Sequence, residues 1–119
     1  MNTEYLALDS DATVNDAIEA LRNFEGGVET VSTIYLVDKD GRLVGAVPLA
    51  KLVLASSDDK LWSLTVEPLI SCNAGAGEKE VAALFDKYNL VTLPVVDDDG
   101  KLTGVITSDD VISLLRAKL

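Results

Sequence analysis

The sequence predicts an α/β (α+β) fold in which one β-α-β-β-α unit is used twice. Three observations lead there. Residues 34–52, "IYLVDKDGRLVGAVPLAKL", realign with 93–111, "LPVVDDDGKLTGVITSDDV", at a constant spacing of 59 residues: Val37 falls on Val96, Asp38 on Asp97, Gly41 on Gly100, Leu43 on Leu102, Gly45 on Gly104, Val47 on Ile106 and Leu52 on Val111. A self-match of this length marks one supersecondary unit repeated. Each copy places Asp-Gly between two apolar runs, the signal of a β-hairpin. Apolar residues at helical spacing flank each hairpin.

The elements follow in order. "EYLALD" and "PLISCN" read as short extended stretches that open the two copies. In the first copy Val14, Ala17, Ile18 and Leu21 trace one face of a helix, and Thr13 with Asp16 is spaced as a capping box. In the second, Val81, Leu84, Phe85 and Tyr88 do the same within "EKEVAALFDKYN". Gly45 and Gly104 fall inside the second strand of each hairpin, where a bulge or a close backbone approach is expected. Helices "PLAKLVLA" and "SDDVISLLRAKL" close the copies. The first copy carries five extra residues around "NFEGGVETV", since Asp16 to Asp38 is 22 residues and Glu80 to Asp97 is 17. Between the copies, "SSDDKLWSLTVEP" reads as a short helix and a connection, with Trp62 and Leu64 as apolar anchors. The expected division is repeat 1 with its linker at 1–63 and repeat 2 at 64–119.

Composition narrows the chemistry. The 119 residues are 48% hydrophobic and 25% charged, enough for one packed domain. No apolar run approaches the roughly 18–20 residues of a membrane span, and the start does not read as a signal peptide, so a soluble chain is expected. Cys72 is the only cysteine, and histidine is absent. That removes Ser-His and Cys-His nucleophiles and the usual zinc sites, so no catalytic residue is assigned and the chain is not read as an enzyme. Ten basic residues against twenty acidic ones give a formal charge of -10. Such a field repels phosphate backbones and anionic membranes, which argues against nucleic-acid partners and membrane insertion.

A tandem unit with "LPVVDDDGKLTGVITSDDV" resembles a pair of cystathionine-β-synthase (CBS) domains, over essentially the whole chain. "TEYLALDSDATVNDAIEALR", "IYLVDKDGRLVGAV" and "EKEVAALFDKYNLVTLPVVDDDGKLTGVITSDDVI" are further similar to the cytoplasmic CBS pair of MgtE-type magnesium transporters. The chain would then be a fragment of such a transporter or a free-standing homologue. The resemblance implies two CBS repeats related by a pseudo-two-fold axis, their sheets packed together and helices outside. It also implies a homodimer, with helices such as "VISLLRAKL" supplying the interface, and a membrane transport domain as partner in the parent protein. The implied ligands are an adenine nucleotide (ATP, ADP or AMP) between the repeats and Mg²⁺.

Thr107 and Asp110 are spaced as a helix cap, which accounts for both residue types. A strand-to-helix turn also offers N–H groups to a phosphate, and a carboxylate can accept from both ribose hydroxyls. In CBS domains the residues matching Thr107 and Asp110 contact phosphate and ribose. The first copy has Pro48 and Lys51 at these positions, so its cleft is expected to be degenerate. Tyr35, Val91 and Pro94 are candidates for lining an adenine slot, each with a role in the sheet core as the bland alternative.

The "DKDG" and "DDDG" loops are explained as turns. The spacing of a calcium EF-hand is absent, and no Mg²⁺ ligands are assigned. Gly75 and Gly77 in "NAGAGEKE" form neither established phosphate-loop pattern and read as a flexible lead into a helix. The expected function is a regulatory sensor of adenine nucleotide and Mg²⁺ controlling a magnesium or divalent-cation transporter. The alternative is a stand-alone dimerisation scaffold with a vestigial site.

Overall fold

A computed structural model describes residues 3–26 and 31–117, with the backbone alone for 113–117. The first repeat runs β1 (Leu6–Asp9), α1 (Val14–Arg22), β2 (Thr33–Val37), β3 (Leu43–Pro48) and α2 (Leu49–Leu54). A 3-10 turn at Leu61–Leu64 leads into β4 (Cys72–Asn73), α3 (Glu78–Tyr88), β5 (Thr92–Val96), β6 (Leu102–Thr107) and α4 (Ser108–Ala117). These make two three-stranded sheets, β1-β2-β3 and β4-β5-β6. In each, the first strand is parallel to the second and the second antiparallel to the third. The mixed α/β architecture and the double β-α-β-β-α order are those the sequence predicts.

Local chemistry explains the elements. Thr13 Oγ1 accepts from the Asp16 amide at 3.2 Å, and the Asp16 carboxylate accepts from the Thr13 amide at 2.9 Å, which fixes the start of α1. The Thr13 backbone N–H, then its hydroxyl, hold the Asp16 carboxyl below its ordinary pKa. This contribution is present above the ordinary carboxylate range and is lost as the pH falls through the lowered value. In the hairpins the first aspartate of each loop is the organiser. Asp38 Oδ1 accepts from Asp40 and Arg42 amides, and Asp97 Oδ1 from Asp99 and Lys101 amides, all at 2.9 Å. Gly41 (φ +84°) and Gly100 (φ +83°) supply the left-handed residue that each turn requires.

Bulges sit beside the two strand glycines. Leu36 pairs with Gly45 but Val37 with Leu43, and Val95 pairs with Gly104 but Val96 with Leu102, leaving Val44 and Thr103 as the extra residues. A Cβ on Gly45 would lie 2.8 Å from Thr65 Cγ2, so the linker's close approach requires glycine there. The "NAGAG" lead is tied down by Asn73, which accepts from the Gly75 amide at 2.8 Å and donates to Asp98 at 3.0 Å.

Strand alternation divides the apolar residues three ways. Ile34, Leu36 and Val47 face α1 and α2 with Val14, Ala17, Leu52 and Leu61. Leu93 and Val95 face α3 with Cys72, Val81 and Phe85. Tyr35, Ala46 and Val105 point the other way and pack sheet on sheet, joined by Tyr5, Leu43, Leu69 and Leu102. Burial among these side chains, and secondarily the Glu80 carboxylate, push the Cys72 thiol pKa up, so it packs as a small apolar group.

Two packing expectations need correction. Trp62 is 57% exposed and is not an anchor; Leu61, fully buried, fills that role, with Leu64 packed beside it. In a 3-10 turn residues i and i+3 eclipse, so Leu61 and Leu64 share a face from which Trp62 is turned away. Tyr88 is also exposed, with the Lys87 ammonium 5.2 Å from its ring centre. The chain turns left-handed at Asn89, which brings Leu90 onto the second core instead. Of the apolar face of "VISLLRAKL", only Val111 and Ile112 have described side chains; the remainder lies outside the described residues.

Truncating Leu61 leaves a cavity in a fully enclosed site. Leu61→Ala is expected to cost about 2–5 kcal/mol in urea denaturation, while Trp62→Ala stays within about 0.5 kcal/mol. Equal losses would contradict the assignment of Leu61 as the anchor.

Candidate functional site

The two hairpin tips are joined to each other. Leu43 N–H donates to Gly100 O at 3.0 Å, and Leu102 N–H to Gly41 O at 3.1 Å, with Arg42 and Lys101 bridged antiparallel between them. These two bonds are repeat equivalents, so the tips meet on the pseudo-two-fold axis. Arg42 Nε adds a bond to Asp99 O at 3.2 Å. At the opposite ends of the same strands the structure leaves two clefts.

The first cleft is lined by Glu4, Tyr5, Val31, Ser32, Thr33, Tyr35, Thr92, Val105 and Thr107, around about 350 Å³ of space open to solvent. The second is lined by Thr33, Tyr35, Ala46, Pro48, Val66, Pro68, Leu69, Ile70, Leu90, Thr92 and Pro94, around about 440 Å³. Thr33, Tyr35 and Thr92 belong to both and form the shared wall. Within it the Tyr35 hydroxyl and Thr92 Oγ1 share a hydrogen bond of 2.8 Å. Burial pushes the Tyr35 phenol pKa up, against the opposing effect of the Thr92 bond, so the ring stays neutral at physiological pH. Tyr5 meets Tyr35 edge to face, with centroids 6.4 Å apart and planes at 76°.

The clefts are structural equivalents with different chemistry. Thr107 in the first corresponds to Pro48 in the second, Val105 to Ala46, and Tyr35 to Pro94. Leu8 pairs with Leu36 as Cys72 pairs with Val95, which sets Glu4 and Tyr5 against Pro68 and Leu69. Hydroxyls and a carboxylate in one cleft are thus replaced by prolines and aliphatic groups in the other.

Thr107 and Asp110 form a reciprocal cap at the start of α4. Thr107 N–H donates to Asp110 Oδ2 at 3.0 Å, and Asp110 N–H to Thr107 Oγ1 at 3.3 Å. Ser108 N–H donates to Val91 O at 2.9 Å, mirrored in the first repeat by Leu49 N–H to Ser32 O at 3.1 Å. Three of the four amides from 107 to 110 are therefore already engaged, which corrects the expectation of a turn with free donors for a phosphate. In the first repeat Pro48 makes no side-chain cap.

The five residues singled out in sequence do not assemble into one slot. Tyr35 lies on the shared wall, Thr107 lines the first cleft, and Asp110 is half-buried behind it. Pro94 lines the second cleft, and the Val91 side chain is 61% exposed and lines neither. Sequence reasoning missed Glu4, Tyr5, Ser32, Thr33 and Thr92. Two signals could have found some of them. Alternation in "EYLALD" sends Leu6 and Leu8 to the helix-facing core and Tyr5 to the other face. Thr33 and Thr92 coincide at the repeat spacing.

Among the described residues no three carboxylate or thiol side chains converge to hold a metal ion. Asp9, Asp38, Asp59 and Asp97 each accept from nearby backbone amides, and Asp98 accepts from Asn73. One chain's described residues do not fit a dedicated Mg²⁺ cage.

The Tyr35–Thr92 bond joins the repeats through a half-buried wall. Tyr35→Phe and Thr92→Val are each expected to cost about 1 kcal/mol, with the double variant costing clearly less than the sum. Strict additivity in denaturant titrations would show that the bond contributes nothing.

Known proteins place this arrangement. A family profile for the CBS domain matches residues 1–58 and again 63–117. The magnesium transporter MgtE of Thermus thermophilus is 34% identical over 118 residues, which is 99% of this chain and 26% of that protein. Among solved structures, the soluble part of a magnesium transporter superposes with a TM-score of 0.90 at 30% identity, over 98% of this chain and 45% of that one. The cytosolic domain of the Mg²⁺ channel MgtE in complex with ATP superposes with a TM-score of 0.87 at 33% identity, over 93% and 45%. The chain spans about a quarter of the length of the transporter that it matches. It belongs to the CBS-domain family, as a tandem pair related to the cytosolic domain of MgtE magnesium transporters.

Proposed function

We propose that this CBS pair is a regulatory, non-catalytic module that binds an adenine nucleotide in the first cleft and, together with Mg²⁺, controls an MgtE-like transport domain. The observation that carries the reading is the asymmetry of the two clefts. Thr107, capped by Asp110, lines one cleft with Glu4, Tyr5 and Ser32, while Pro48, with Lys51 in place of the aspartate, lines the other with Pro68 and Leu69. A carboxylate has about four lone-pair sites, so Asp110 can cap α4 and still accept from ribose hydroxyls. Thr107 Oγ1 accepts from an amide and keeps its own proton to donate. The MgtE cytosolic domain that superposes on this chain was solved with ATP, which supports the ligand class.

The Mg²⁺ part of the reading rests on charge. Twenty acidic against ten basic residues repel one another in the compact state, and divalent cations relieve that repulsion. Such cations would sit between facing copies or domains, where carboxylates of two surfaces meet. Homodimerisation belongs to the same reading. Val53 and Leu54 on α2 are 84% and 89% exposed and want a partner surface. That same exposure favours a second reading, a stand-alone dimerisation scaffold with no ligand.

Calorimetry with ATP, ADP and AMP separates the two. Binding of at least one nucleotide is expected; no heat from any of them would leave only the scaffold. Asp110→Ala is expected to weaken nucleotide binding more than about tenfold and to cost about 1 kcal/mol of stability through the lost cap. Asp110→Asn, which keeps an acceptor for the Thr107 amide, separates the two effects. MgCl₂ should raise the melting temperature above that in NaCl of equal ionic strength, and in Asp110→Ala as well. A pure ionic-strength effect would remove Mg²⁺ from the proposal.

A further inference from the structure

We infer that the first cleft recognises the nucleoside half of its ligand and disfavours the phosphate chain, so that adenosine and neutral 5′-substituted adenosines bind at least as tightly as ATP. The inference deepens the proposed function and rests on it. The lining offers hydroxyls from Ser32, Thr33, Thr92 and Thr107, the half-buried ring of Tyr5 beside the enclosed Tyr35, and one carboxylate, Glu4. No lysine or arginine is among the described residues that line it.

A phosphate is ordinarily held by basic side chains or by unengaged amides at a helix start. With the ribose on Asp110, a 5′-phosphate would lie at the start of α4. There the amides of Thr107, Ser108 and Asp110 already donate to Asp110 Oδ2, Val91 O and Thr107 Oγ1. The first turn of α4 also carries Asp109 and Asp110. A net charge of -10 adds a long-range field of the same sign. Hydroxyl and aromatic recognition of base and ribose meets no such penalty.

The test is isothermal calorimetry with adenosine, AMP and ATP in Mg²⁺-free buffer, at about 20 mM and about 150 mM salt. Adenosine is expected to bind at least as tightly as AMP and about tenfold more tightly than ATP at low salt, with the gap narrowing at higher salt as charges are screened. Glu4→Lys, at an exposed position, should move the ATP-to-adenosine affinity ratio toward ATP. Tighter binding of ATP than of adenosine at low salt overturns the inference, as does a ratio that Glu4→Lys leaves unmoved. Heat from none of the three ligands sinks the nucleotide reading itself, a different outcome from a reversed order.

Discussion

The paired bridge between the hairpin tips is the constraint on which the remaining geometry depends. Two backbone bonds, Leu43 to Gly100 and Leu102 to Gly41, tie equivalent points of the repeats together. Once the tips are joined, the two sheets must face each other. Strand alternation then decides which side chains meet in the seam: Tyr35, Ala46 and Val105 enter it, while their neighbours Ile34, Leu36 and Ile106 turn toward helices. The clefts lie at the far ends of the same strands. Their position follows from topology, and only their chemistry is left to individual residues.

Those residues have diverged where backbone demands are weakest. The turn aspartates Asp38 and Asp97 and the left-handed Gly41 and Gly100 occur in both copies, because each hairpin turn is built on the same amide acceptor and positive-φ residue. Thr107 and Asp110 have no such counterpart. Pro48 still enters its helix without a cap, since α2 is only six residues long and is held by Leu52 against the first core. Helix capping is worth roughly 1 kcal/mol, which packing can replace. A cap retained in one repeat beside a hydroxyl-rich cleft, and lost in the other beside an apolar one, is what divergence of a binding role would leave.

Much of the fold was legible because its signals are local. Hairpins, the Thr13–Asp16 box and the strand glycines each depend on residues a few positions apart, and the repeat spacing supplied the order. What sequence could not supply were choices made by three-dimensional packing. Trp62 is the larger side chain, yet the 3-10 period turns Leu61 inward. Tyr88 is in phase with Val81 and Phe85, yet the left-handed Asn89 lets Leu90 take its place. The site was partly legible in the same sense. Thr107 with Asp110 is a local pattern, and it is present as a cap. Tyr5 and Thr92 reach Tyr35 only through the seam between sheets, and no spacing along the chain announces a seam. Strand position alone groups Val91 and Pro94 with Tyr35. Strand position cannot separate two clefts that share a wall.

That shared wall is where ligand binding would be felt elsewhere. Tyr35 and Thr92 come from different repeats, are hydrogen-bonded to each other, and line both clefts. The Tyr35 ring is only 2% exposed, so a ligand that reached it would either keep this bond and stiffen the seam, or displace the ring and loosen it. A ligand shifts an equilibrium only by its differential affinity for the two states, so a cleft contact remote from the wall would regulate nothing. Contact with Tyr35 couples the ligand to the interface that holds the repeats together. The acidic surface acts in the same currency, since every cation bound between facing carboxylates favours the closer arrangement. On the proposed reading, nucleoside and cation would act on the same seam, one from inside the cleft and the other through the field around it.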